Sequence, residues 1–242
     1  MVQHIGIVGC SAEGAALCYR TICLEGEQFL GRYGHPEVSM HTHSFAGYLR
    51  AIERHDWRAV SELMLASAEK LSKAGSDFLI CPDNTIHQAL PFIQSRLPRP
   101  WLHIAEVVAE EARRRGFRCL GLLGTRWLVE SEVYPQALAT YGLKYVRPDA
   151  TEREEINRII FDELVCGVSK PEAIAYHGQV MSRLKQAGCD AAVLGCTEIP
   201  LIMSPPLHIF KCNTTFVAST SSAQIRPFPI GQSLKKSYEQ FT

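Results

Sequence analysis

One stretch of this chain occurs twice. "LSKAGSDFLICPDNT" (71–85) lines up without gaps on "LKQAGCDAAVLGCTE" (184–198), at an offset of about 113 residues. In both copies an amphipathic stretch closes on Ala-Gly, where the glycine suits the residue just past a helix end. An aspartate then precedes an apolar run that stops at a polar tip. Asp83 falls opposite Cys196, and Asn84 opposite Thr197. A second pair agrees: "IGIVGCS" (5–11) matches "LGLLGTR" (120–126) at an offset of about 115 residues, with Gly6 over Gly121 and Cys10 over Thr125. Two matches at nearly one spacing point to two homologous halves. A chance coincidence of short apolar runs is the competing explanation.

The pattern between the repeats alternates short apolar runs with amphipathic stretches. Strands are expected at His4–Val8, Phe78–Cys81, Cys119–Leu123 and Ala191–Leu194, with "PEVSMHTHSF" and "YVRP" as weaker candidates. Helices are expected at Trp57–Ala74, Ile104–Arg115, Ser131–Tyr141, Thr151–Cys166 and Pro171–Ala187. Such alternation predicts an α/β fold with parallel sheets. With 242 residues there is length for one large or two small domains. The stretch after Ser204 is rich in Ser, Thr and Pro, so loops are expected there, with "SLKKSYEQF" as a short helix.

Ligands of open α/β sheets bind beyond the carboxyl ends of the strands. If the two halves face each other, their strand tips converge on one cleft, and Asp83 and Cys196 approach a ligand from opposite sides. Cys196 follows Gly195 and precedes a helix start, where backbone N–H groups stabilise a thiolate. A buried structural cysteine is the alternative reading. Asp83 could serve as the acid/base partner across the cleft, or simply as a helix cap in "PDNT". Asn84, Thr85 and Thr197 lie beside these tips, and Cys10, Ser11 and Thr125 at the other paired tips. With backbone amides they could hold a carboxylate.

Other chemistries find little support. Lys+Arg and Asp+Glu are 25 each, which argues against a nucleic-acid partner or a charged membrane surface. No apolar run approaches the roughly 18 residues of a membrane span, and the N-terminus has no basic region followed by a long apolar one. Nine cysteines without a C-x-x-C argue against a disulfide framework or zinc knuckle and for reduced thiols. The chain therefore reads as cytoplasmic. His41 and His43 share one face of an extended "HTH", but a third metal ligand is not evident, so no metal is expected. "GIVGCSAEG" is not a dinucleotide fingerprint, and no lysine marks a pyridoxal site.

"PDNTIH" and "LGCTEIPLI", at this separation, resemble the paired P-C-N-T and G-C-T-E motifs of the aspartate/glutamate racemase family. "HPEVSMHTHSF", "GLLGTRWLVESEVY" and "EEINRIIFDEL" resemble other family segments, and the likeness spans roughly residues 2–203. The resemblance implies two doubly wound parallel-sheet α/β domains related by pseudo-twofold symmetry, with the active site between them. Residues 1–98 with 208–242 would form the first domain and 99–207 the second. It also implies a homodimer, no cofactor and a small amino-acid substrate, aspartate or glutamate. Two cysteines in the family flank the substrate α-carbon; one removes a proton and the other returns one to the opposite face. Here the first of them matches Asp83. Cys81 lies in register with Leu194 and reads as structural. Cys196 and Asp83 are thus the expected catalytic pair, with Cys10, Ser11, Asn84, Thr85, Thr125, Thr197, Glu198 and Lys170 around the substrate. Lys170 resembles a family position that reaches a distal carboxylate. The family's usual C-terminal segment is reduced to "FKCNTTF".

In water a thiol titrates near 8.5 and a carboxyl near 4, a poor match that desolvation of Asp83 would narrow. A related branch, resembling arylmalonate decarboxylase, keeps only the second cysteine. A single-cysteine decarboxylase or isomerase and a non-catalytic ligand-binding relative are the alternatives. Inversion of chirality, release of CO2, or thermal shift without turnover separates the three.

Overall fold

A computed structural model of the chain describes residues 2–202 and 224–227. Two sheets carry the fold. The first has the order β2-β1-β3, from β1 (Ile5–Gly9), β2 (Val38–Thr42) and β3 (Phe78–Ile80), all parallel. The second has the order β5-β4-β6-β7, from β4 (Cys119–Leu123), β5 (Lys144–Val146), β6 (Ala191–Leu194) and β7 (Gln224–Pro227). Its first three strands are parallel and β7 runs antiparallel to β6. In each sheet the strand of the 5–11/120–126 pair (β1, β4) lies inside, and the strand of the 71–85/184–198 pair (β3, β6) lies beside it.

The repeated aspartates explain how each sheet begins. Asp77 Oδ2 accepts the His4 N–H at 2.7 Å, and the Asp77 N–H is donated to the His4 carbonyl at 2.8 Å. In the other half Asp190 accepts the Arg118 and Cys119 N–H groups at 2.8 and 3.2 Å, and donates its own N–H to Cys119 at 3.0 Å. Each aspartate therefore ties the start of its strand to the start of the central one. The preceding Gly75 and Gly188 have φ of 96° and 92°, left-handed values that a side chain would strain.

Both faces of each sheet are covered, as parallel sheets require. Alternation along β6 sends Ala191 and Val193 to a core shared with α4 (Ile104–Arg114) and α6 (Val133–Thr140). Ala192 and Leu194 go to a core shared with α7 (Ala150–Asp162) and α8 (Pro171–Gln186). In the first half Ile5 and Ile7 pack against α1 (Ala12–Leu30), while Val8 packs with α2 (Phe45–Glu53) and α3 (Trp57–Lys73). The short helices α5 (Arg126–Val129) and α9 (Ile199–Ile202) follow β4 and β6. None of the described helices is long and apolar enough to cross a membrane.

The expected strands and the helices α3, α4, α6 and α8 are found within three residues of the sequence boundaries, while α7 ends at Asp162, four residues before the expected Cys166, and a separate short turn covers Leu164–Cys166. Helices α1 and α2 add to them. The large apolar residues of α1 include Tyr19, Leu24 and Phe29, all exposed, so its period does not read as a core-facing stripe. The loop expected for the tail is corrected at 224–227, where the backbone pairs with the open edge of β6. These four residues therefore join the second sheet, although 208–242 was expected to join the first half. The helix expected at "SLKKSYEQF" lies outside the described residues.

Candidate active site

The tips of β1, β3, β4 and β6 converge on a small pocket of about 70 Å³. Ser11, Asp83, Asn84, Thr85, Thr125, Cys196, Thr197 and Glu198 line it together. This is the grouping that the repeat predicts, since it joins polar tips from both halves. Gly195 permits the approach. A Cβ there would lie 2.4 Å from Leu128 Cδ2 and 2.8 Å from the Leu123 carbonyl oxygen. The tip of β6 can therefore press against the tip of β4 and present the Cys196 thiol.

Cys196 Sγ donates to Glu198 Oε2 at 2.9 Å, and Thr197 Oγ1 donates to the same oxygen at 2.7 Å. Burial, followed by the charge and hydrogen bond of Glu198, holds the Cys196 thiol well above its ordinary range; Asp83 adds to the effect. The backbone N–H of Glu198 pulls the other way, as the helix-start argument expects, but it is outweighed. The resting group is thus a thiol rather than a ready thiolate.

Asp83 lines the same pocket. Its carboxyl is pushed above the ordinary carboxylate range, chiefly by burial, in the same direction as the thiol. Its Oδ1 accepts the Ile86 N–H at 3.1 Å, so it caps the turn at 85–92 and faces the pocket as well. Cys10 is 2% exposed and lies behind it, hydrogen-bonded through its thiol to the Asp83 carboxyl. Cys10 therefore backs Asp83 rather than lining the pocket. Cys81 Sγ contacts the Asp83 carbonyl at 3.8 Å and is buried.

His87 and Tyr134 were not legible as site residues. His87, four residues after Asp83, bonds the Asp83 carbonyl through Nδ1 at 2.7 Å. Its Nε2 accepts from Trp101 Nε1 at 3.3 Å and from the Ile104 N–H at 3.4 Å. Burial first, then the neighbouring His103, pushes its pKa down to about 3, so a neutral imidazole fixes the backbone at Asp83. Tyr134 donates to Asn84 Oδ1 at 2.7 Å, joining α6 to the first half. Thr85 Oγ1 and Thr125 Oγ1 meet at 3.2 Å, and Gln88 Nε2 donates to the Trp127 carbonyl at 3.0 Å. The Tyr134–Asn84, Thr85–Thr125 and Gln88–Trp127 bonds thus cross between the halves beside the pocket.

Ser11 Oγ accepts the Gly14 N–H at 3.2 Å and caps α1, so it has a structural duty besides lining the pocket. Lys170 is not among the lining residues. Its Nζ pairs with Glu163 at 3.3 Å, at the start of α8. His41 bonds Ser67 through Nδ1 and accepts from Lys70 through Nε2, both at 2.9 Å.

Loss of the Tyr134 hydroxyl removes one partner of a buried amide. Tyr134→Phe is expected to cost about 1–3 kcal/mol of unfolding free energy, read as a lower urea midpoint at unchanged slope.

The Asp/Glu/Hydantoin racemase model matches residues 7–220 of the chain. The chain belongs to this family. A Yersinia pestis structure assigned to the Asp/Glu racemases superposes with a TM-score of 0.79 at 28% identity, covering 90% of this chain and 96% of the other. An aspartate racemase homologue from Pyrococcus horikoshii OT3 gives 0.71 at 28% identity, with 84% and 88% covered. The broad specificity amino-acid racemase RacX of Bacillus subtilis (strain 168) is 23% identical over 151 residues. That match covers 61% of this chain and 63% of RacX, so the chain spans somewhat under two thirds of that relative. The mixed α/β architecture with parallel sheets matches these structures.

Proposed function

We propose that the chain racemises a free amino acid without a cofactor, using Cys196 and Asp83 as opposed acid/base groups. The observation that supports this reading is the position of both side chains in one pocket, at the tips of equivalent strands of the two sheets. In one direction the Cys196 thiolate removes the α-proton and leaves a planar carbanion. The protonated Asp83 then returns a proton to the opposite face, so the cycle ends with a Cys196 thiol and an Asp83 carboxylate. The reverse reaction exchanges the roles. The upward shifts of both groups favour their protonated forms, so either can act as the acid. Asn84, Thr85, Thr125 and Thr197 hold the α-carboxylate. Incubation of L- and D-amino acids in deuterated water, followed by proton NMR and chiral chromatography, tests the reading. Inversion with deuterium at the α-carbon supports it, and exchange-free, unchanged substrates refute it.

A second reading has its own support. A thiol held protonated suits one-sided protonation of a planar intermediate, which is the step that follows decarboxylation of a disubstituted malonate. CO2 release from such a malonate, with no inversion of any amino acid, would favour it.

Glu198 acts on this chemistry through Cys196. Removing its charge by Glu198→Gln takes away the largest influence after burial that raises the thiol. The thiolate then forms at lower pH, so the alkaline rise of kcat/KM is expected to move to lower pH. A pH–rate profile of the two enzymes checks the direction; an unmoved profile would mean that the Glu198 charge does not set the thiol.

A further inference from the structure

The pocket lining is of two chemical kinds. Beside the polar tips the pocket is lined by a group of apolar side chains drawn from both halves. Phe45 and Leu49, one helical turn apart on α2, come from the first. Trp127, Ile160, Phe161 and Val165 come from the second. Trp127 and Phe161 meet edge to face with centroids 5.4 Å apart, and Trp127 also packs against the core of the first half. The wall is therefore a built surface, not one stray residue. Most of it is incompletely buried: Val165 is 42% exposed, and Phe45, Leu49, Trp127 and Phe161 are half-buried. Apolar area left uncovered at the mouth of a pocket gains by being covered.

Among the described lining residues the ionisable acids and bases other than the Cys196 thiol are Asp83 and Glu198, both carboxyls. A substrate with a second carboxylate would bring negative charge near the Glu198 carboxyl with no cation among the described lining residues to balance it. Lys170, the cation expected to meet such a group, is paired with Glu163.

We infer that the pocket takes an α-amino acid whose side chain is apolar, with that side chain laid on the Phe45–Trp127–Phe161 wall and the α-carbon between Cys196 and Asp83. The inference rests on the racemase reading and narrows it. The motif resemblance implies aspartate or glutamate; the wall favours leucine, methionine or phenylalanine.

Binding and turnover are measured separately so that the two ideas can fail separately. Isothermal titration of the Cys196→Ala protein with L-leucine, L-methionine, L-aspartate and L-glutamate reads the side-chain preference without chemistry. Leucine or methionine is expected to bind at least about tenfold more tightly than aspartate, the discrimination that one apolar group commonly gives. Val165→Arg in the same background adds a cation at the wall's open edge and should reduce that ratio at least about tenfold. Aspartate or glutamate binding as tightly as leucine, or no measurable binding of either class, overturns the assignment. Alpha-proton exchange by the wild-type protein tests the racemase reading on its own. Leucine bound more tightly but never exchanged sinks that reading and leaves the side-chain assignment. Aspartate bound more tightly and exchanged does the opposite.

Discussion

Cys196→Ala is expected to abolish racemisation while the fold persists. Loss of a positioned acid/base group lowers rates by about 10²–10⁴-fold, and more where nothing can replace it. The side chain it leaves is small, and the tip of β6 remains held by the Gly195 N–H to the Leu123 carbonyl at 2.6 Å. Circular dichroism and the unfolding midpoint should therefore change little, while inversion of every amino acid tested falls to background. Full activity in Cys196→Ala with any substrate would remove Cys196 from the reaction and with it the whole assignment of the pocket.

Asp83→Asn separates the two faces of the substrate. The enantiomers have equal free energy, so racemisation must slow equally in both directions, again by about 10²–10⁴-fold. Exchange of the α-proton with deuterated water need not be symmetric. The enantiomer whose proton faces Cys196 can still lose it and regain deuterium on the same side, while the enantiomer facing position 83 cannot. The asparagine keeps an oxygen for the Ile86 N–H that Asp83 now accepts, so a cap alone would survive this change. Racemisation at the wild-type rate in Asp83→Asn would leave Asp83 as a cap only. Asp83→Cys should keep or raise activity, because two thiols have matched pKa values and a thiol–carboxyl pair does not. Measured inversion and exchange in the three proteins decide among these outcomes.

The repeat made the framework legible because its signals are local and strong. Apolar runs follow left-handed glycines, each run begins with an aspartate that ties two strands together, and the same order occurs in both halves. Asp83, Cys196 and the threonines could be placed in one pocket from sequence because they occupy strand tips. The wall could not. Phe45, Leu49 and Phe161 belong to helices whose exposed face turns toward the cleft only when the halves assemble, and α2 was not anticipated as a helix. Tyr134 and His87 looked like ordinary core residues, and their roles depend on partners 50 and 17 positions away, Asn84 and Ile104. The sign of the Cys196 shift was also hidden, because burial, and after it the carboxyl of Glu198, outweighs the backbone donor that the motif advertises.

The pairing of Gln224–Pro227 with β6 gives the far end of the chain a bearing on its chemistry. Strand β6 carries Cys196 at its tip, and β7 occupies its outer side, from Leu194 against Gln224 to Ala191 against Pro227. A protein clipped by proteases before residue 224 would keep every pocket residue named above. It would nevertheless present a bare row of peptide donors and acceptors, a template for strand exchange between molecules. Integrity of the C-terminal region would then be read in the protein's shelf life and in its tendency to self-associate, well before any active-site residue is touched.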